Sequence, residues 1–213
     1  AGPDGLGVMM WEGWYTPASL PEEPGDWGPQ SNALELTGQE TDALRREAIR
    51  AGVTMNAAVE AAWAIVLARL SGQDDVVFGK TVSGRPAELP GVERALGLFI
   101  NTIPVRVRGI VERTIRELMV AAHKDNVESL AYQYESLPTL HALTPLKSRL
   151  FDHVLVFEHY PLDDRRMDGT GRLRIRDGGG QGETHYGFSI GVIPGRRGPS
   201  REAADGARHR ATE

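Results

Sequence analysis

Val76-Val77-Phe78-Gly79-Lys80-Thr81-Val82-Ser83-Gly84-Arg85-Pro86 is the stretch on which the fold class turns. Its first seven residues are mostly β-branched or aromatic and follow an Asp74-Asp75 turn, so they predict a strand. Ser83-Gly84-Arg85-Pro86 then breaks it with a turn that presents a hydroxyl and a guanidinium. The segment before the strand reads as a helix from Thr54 to Gly72. Val59, Ala62, Trp63, Ile65, Val66, Leu67 and Leu70 make it apolar around most of its circumference, which predicts burial on several sides. The segment after it, residues 98–108, begins as an apolar run and ends in alternation, Val105 and Val107 against Arg106 and Arg108. A second strand is predicted there, and Pro104 places it at an edge or a bulge because proline has no N–H for an interior ladder.

Two further helices carry explicit start signals. Thr37-Gly38-Gln39-Glu40 and Thr114-Ile115-Arg116-Glu117 are capping boxes, in which the threonine hydroxyl and the glutamate satisfy free N–H groups reciprocally. The first of these helices ends before Gly52, a suitable left-handed terminator, and the other extends to about residue 131. Residues 150–157 are mostly apolar, like a central strand. In residues 185–193, Tyr186, Phe188, Ile190 and Val192 alternate with His185, Gly187, Ser189 and Gly191, which predicts a half-buried strand. Helices and strands are mixed without regular alternation, so the fold class is α/β, a mixed sheet with flanking helices.

The ends are different in kind. Residues 1–33 are rich in Gly and Pro with Trp11, Trp14, Tyr15 and Trp27 interleaved, and read as an extended aromatic arm with little regular structure. Residues 195–213 hold five Arg, three acidic residues and no large apolar side chain, so a disordered tail is expected. Residues 34–194 remain as the folded body.

Composition excludes several classes of function. The 213 residues are 40% hydrophobic and 25% charged, the balance of a globular protein, and the net charge of −5 does not suggest a nucleic-acid partner. No apolar run reaches the 18 residues of a membrane span, and no signal peptide precedes the body, so a cytoplasmic location is expected. There is no cysteine, which removes disulfides, thiolate nucleophiles and zinc–thiolate sites. The histidines lack paired ligand spacing, and no metal is expected.

His159-Tyr160-Pro161-Leu162-Asp163 could place a base and its orienting carboxylate at the end of the 150–157 strand, although the spacing is weak and a structural role outweighs a catalytic one. Gly178-Gly179-Gly180-Gln181-Gly182 lacks the Lys-Ser/Thr of a phosphate loop and reads as a hairpin connection. Ser83, Gly84 and Arg85 in the turn, with Asn101 and Thr102 embedded in the next strand, fit two roles equally: a network that anchors the loop, or a surface that faces a ligand.

Several separate segments resemble one family. Residues 71–79 (SGQDDVVFG), 82–93 (VSGRPAELPGVE) and 96–102 (LGLFINT) are similar to the second half of a nonribosomal peptide synthetase condensation domain. Leu150-Phe151-Asp152 with Val156-Phe157-Glu158-His159-Tyr160-Pro161 resembles that family's Leu-Phe-Asp…Val-Phe-Glu-Asn-Tyr-Pro, and Thr184-His185-Tyr186 its Thr-Asn-Tyr-Pro. The order and spacing agree over about residues 30–194.

The resemblance implies one lobe of the two-lobed, chloramphenicol-acetyltransferase-like sandwich. It implies amide formation between a donor thioester and an aminoacyl acceptor, both delivered on the phosphopantetheine arms of carrier proteins, with no cofactor bound directly. The family's catalytic His-His-x-x-x-Asp-Gly lies in the other lobe, and no His-His pair occurs here. His159 and Asp163 fall in the wrong lobe for that motif. The resemblance therefore leaves no catalytic residue in this chain and gives Ser83, Gly84, Arg85, Asn101 and Thr102 to the floor loop and wall of the substrate tunnel. It implies an N-terminal lobe and carrier proteins as partners, self-association through an exposed lobe interface, and no activity alone. The opening at Ala1 fits a piece of a longer enzyme. Two other functions compete: a non-catalytic module that binds a carrier or partner, and an acyltransferase built on His159 and Asp163.

Overall fold

A computed structural model describes residues 6–12, 31–86, 89–145, 150–157 and 186–194. Six strands form one mixed sheet: β1 (Leu6–Glu12), β2 (Ser31–Leu36), β3 (Asp75–Val82), β4 (Asn101–Arg108), β5 (His153–Phe157) and β6 (Phe188–Pro194), in the spatial order β2-β1-β6-β5-β3-β4. β5 is parallel to both its neighbours, β3 and β6, while the β1–β2, β1–β6 and β3–β4 pairs are antiparallel.

The helices begin and end where local chemistry requires. α1 (Gly38–Ala51) starts on the Thr37 capping box, with the Glu40 N–H 3.2 Å from Thr37 Oγ1 and the Thr37 N–H 2.8 Å from Glu40 Oε2. Gly52, at φ +70°, ends it. α2 (Met55–Ser71) is capped by Thr54 and stops at left-handed Gly72. α3 (Ile115–Ser129) starts on the second capping box, at Thr114, and passes into a 3-10 turn over Leu130–Tyr132. The short α4 (Leu137–Ala142) follows, capped by Ser136.

The core lies where α2 and α3 cover β3, β4, β5 and β6. Val76 and Phe78 of β3, Val105 and Val107 of β4, Leu155 of β5, Ile190 and Val192 of β6 meet Ala61, Ala64, Leu118 and Met119 there. Proline sits as the sequence requires: β4 is the edge strand, and Pro104 stands opposite Gly79.

Four expectations need correction. The described residues among 1–33 hold regular structure: β1 is an interior strand with Leu6 in the core, and β2 begins at Ser31. β1 pairs with β6 from the far end of the sequence, Met9 opposite Gly191, so no local signal marks it. The second predicted strand begins at Asn101, leaving Leu98 and Ile100 outside it and exposed. α2 is buried along an alanine-rich face (Ala57, Ala58, Ala61, Ala64, Ala68) flanked by Val59, Trp63, Ile65 and Leu67, which pack half-buried against the core, while Ala62, Val66 and Leu70, expected to be buried too, face outward. The last strand is buried on both faces, Ser189 as fully as Val192, rather than on one. The expectations for residues 158–185, including His159, Asp163 and the glycine run, and for the 195–213 tail fall outside the described residues. No single helix among the described residues is long and apolar enough to cross a membrane.

Candidate functional site

β3 and β4 pair in register from Asp75 opposite Arg108 to Val82 opposite Asn101. That register brings the end of β3, the Ser83-Gly84-Arg85 turn and the start of β4 to one end of the sheet. β5 runs parallel to β3, with Lys80 opposite Leu155, so its last residue, Phe157, comes out at the same end.

Gly84 is required by geometry. Its φ is +60°, and a Cβ there would lie 1.8 Å from the Phe99 carbonyl oxygen, so the two loop segments touch backbone to backbone. Arg85 closes the loop between them. Its Nη1 donates to the Ala95 carbonyl at 3.1 Å and to the Val92 carbonyl, and its Cζ lies 4.3 Å from the centroid of the Phe99 ring. Val92, in a 3-10 turn, is buried beneath it. Ser83 is exposed and makes only a long contact, 3.5 Å from the Arg85 N–H to Oγ.

Asn101 commits its amide to the backbone. Nδ2 donates to the Gln133 and Glu135 carbonyls, each at 2.8 Å, and Oδ1 accepts the Thr102 N–H at 2.9 Å. Thr102, half-buried, stands opposite Thr81. The structure therefore gathers all five candidates at one end of the sheet and gives Arg85 and Asn101 anchoring bonds there. Leu96, Leu98 and Ile100 beside them are exposed, as are Tyr132 and Tyr134 in the segment that Asn101 holds.

Two polar clusters escaped the sequence reading. Glu60 of α2, 0% exposed, lies with its Oε1 3.2 Å from Lys80 Nζ of β3, whose side chain is 6% exposed. Asn56 Nδ2 donates to Glu60 Oε1 at 2.9 Å and Asn126 Nδ2 of α3 to Oε2 at 2.8 Å, while Lys80 also donates to Asn126 Oδ1. A charged residue on each of two apolar elements, opposite in sign, was the available clue. The other cluster is His153, whose Nδ1 lies 2.6 Å from Asp152 Oδ1 and whose Nε2 accepts the Trp63 indole N–H at 3.2 Å. This arrangement puts the proton on Nδ1 and leaves neither nitrogen free for a substrate. Both clusters pair their charged and ring-nitrogen groups internally, and Asn56 Oδ1, buried beside Glu60, is left without a hydrogen-bond partner among the described residues. Among the described residues no group of three potential ligands could hold a metal.

Comparison with known proteins adds the family. The family model described as "Condensation domain" matches residues 15–194. The chain is 39% identical over 169 residues to a component of the mycosubtilin synthase of Bacillus subtilis, covering 78% of this chain and 6% of that one. It is 34% identical over 168 residues to bacitracin synthase 3 of Bacillus licheniformis, covering 77% of this chain and 3% of that one. Among solved structures, the first condensation domain of the CDA synthetase superposes with a TM-score of 0.51 at 20% identity, over 57% of this chain and 28% of that one. A holo four-domain nonribosomal peptide synthetase bound to AMP and glycine gives 0.55 at 18% identity, over 78% and 15%. These likenesses show the fold, that of the chloramphenicol-acetyltransferase-like condensation domains. The chain spans only a few per cent of the length of the curated synthetases it matches.

Proposed function

We propose a function from one premise: the chain belongs to the condensation-domain family of nonribosomal peptide synthetases. Such a domain joins a carrier-bound acyl or peptidyl thioester to the amine of a carrier-bound aminoacyl group. This chain supplies its C-terminal lobe, with β1 and β2 part of the lobe's sheet, packed with an N-terminal lobe that brings the base. The Ser83–Arg85 turn is the floor of the substrate tunnel, and the strand begun by Asn101 is part of its wall. Both substrates arrive on phosphopantetheine arms, so the chain needs no cofactor of its own, and the reaction is cytoplasmic.

One observation carries the assignment to a lobe. The floor-loop and strand segments that resemble the family meet at one end of the sheet, while the chain contains no His-His pair to act as the family's base. The polar groups available here hold and orient rather than transfer protons. The apolar side chains at that end, Leu96 and Leu98 above all, are of the kind a second lobe covers.

The test is reconstitution. Donor and acceptor carriers loaded with their thioesters are mixed with this chain, with and without a separately produced lobe bearing His-His-x-x-x-Asp-Gly. No amide product is expected from the chain alone, and product is expected when both lobes are present. Product from the chain alone overturns the reading. So does tight binding of a loaded carrier by the chain alone with no activity in any combination, which would make it a binding module.

A further inference from the structure

We propose that His153 makes the seam between α2 and the sheet sensitive to protons: the bond from Trp63 exists only while the ring is neutral, and one more ring proton turns it into a contact between two donors. An indole N–H donates and cannot accept. That of Trp63 lies on His153 Nε2 at 3.2 Å, so Nε2 holds a lone pair there, and the ring's single proton sits on Nδ1, 2.6 Å from Asp152 Oδ1. The next proton therefore goes to Nε2, where it points at the indole N–H. A buried donor that has lost its acceptor is costly, so the indole must give up this position.

The surroundings leave the ring little alternative. His153 is 8% exposed and lies among three aromatic rings: Trp63 edge-on at 5.6 Å between centroids, Phe188 at 6.2 Å and Phe78 at 6.3 Å. Asp152, whose side chain is 87% exposed, stays on the Nδ1 proton and balances the added charge. It is the one charged group in contact with the ring among the described residues. On α2, Glu60 lies one turn before Trp63, and on β3, Lys80 shares the face of Phe78, but these two are paired at 3.2 Å and both bond Asn126. β6 brings Phe188, which carries no charge. The bond at stake joins the middle of α2 to the first residue of β5, across 90 residues of sequence, and β5 runs on to Phe157 at the end of the sheet that holds the candidate site. This inference does not rest on the condensation reading, because every group in it belongs to this chain.

Proton–nitrogen NMR on the full chain reads the bond itself. At neutral pH, long-range spectra are expected to show His153 with Nδ1 protonated and Nε2 bare, and the Trp63 indole N–H at the low field of a hydrogen-bonded donor. As acid is added, with circular dichroism showing that the helices persist, His153 is expected to take up a proton and the indole to lose its low-field shift with the same midpoint. In His153→Phe, which keeps an aromatic ring in place, the indole is expected at the unbonded position at every pH. An Nε2–H or doubly protonated ring at neutral pH overturns the proposal. So does an indole resonance that does not follow His153, or a His153 that takes no proton before the chain unfolds. An indole in His153→Phe that titrates as in the unaltered chain overturns it as well. If that variant fails to fold, the two midpoints of the unaltered chain decide by themselves.

Discussion

Replacing Glu60 by Gln, Lys80 by Met, and both together tests the reasoning about the buried network most directly. Glu60 receives three donors: Lys80 at 3.2 Å and Asn56 at 2.9 Å on Oε1, and Asn126 at 2.8 Å on Oε2. A glutamine offers one oxygen, so its NH2 faces one of these donors, and the Lys80 ammonium keeps its charge in a site where its side chain is 6% exposed. Coulomb attraction at 3.2 Å with an effective dielectric constant of about 20 is worth about 5 kcal/mol. Removing one partner of such a pair costs about 3–5 kcal/mol, because the other charge stays buried and unpaired. Lys80→Met is expected to cost a similar amount through the stranded carboxylate. In the double variant no charge remains, and Asn126, turned over, offers its oxygen to the new amide. It is expected to be no less stable than either single variant. Urea unfolding followed by far-UV circular dichroism, with all four proteins giving the same slope, yields the cycle. Single costs below about 1 kcal/mol, the range of an exposed pair, refute the argument. So does additivity within about 0.5 kcal/mol.

Gly79→Ala is expected to lower stability by about 1–3 kcal/mol in thermal unfolding, since its Cβ would lie 2.4 Å from Phe151 Cε2 in a ring stacked on Tyr186. Gly38→Ala, where a Cβ meets nothing within 4 Å, is the neutral control, and equal melting temperatures for the two variants contradict the packing account. The capping glutamates predict an acid response. Bonds from the Thr37 and Thr114 backbone N–H groups, aided by the threonine hydroxyls, hold the carboxyls of Glu40 and Glu117 below the usual glutamate value. A depressed folded value stabilises the protein above the unfolded glutamate range, near pH 4.3, and the contribution is lost as pH falls through the folded value. Glu40→Gln with Glu117→Gln is expected to flatten the fall of melting temperature below about pH 4.3, and an unaltered slope counts against this.

The helices were legible because their signals are local. Both capping boxes, Thr54, and the glycines at 52 and 72 act within four residues, and each sits where the sequence placed it. Pro104 forecast an edge strand for the same kind of reason: a missing N–H is a property of one residue. β1 was illegible because a seven-residue strand flanked by Gly and Pro acquires its ladders from β2 and from β6, the latter far along the chain. The apolar run before Asn101 misled because Gly84 and Arg85 hold Phe99 by backbone contact and by its ring, an arrangement periodicity does not encode.

The candidate site divides along the same line. From the sequence alone come the family resemblance, the five residues at positions 83–85 and 101–102, the two roles open to them, and the lack of a His-His pair. Tertiary structure decided what those residues touch. Arg85 reaches the Val92 and Ala95 carbonyls, and Asn101 reaches Gln133 and Glu135, across separations that only the folded chain closes. It also decided that Glu60 and Lys80 are partners, since nothing local ties a helix to a strand 20 residues on. Caps, turns and strand alternation are written into neighbouring residues. Which side chains are spent on anchoring depends on elements that meet only when the sheet closes.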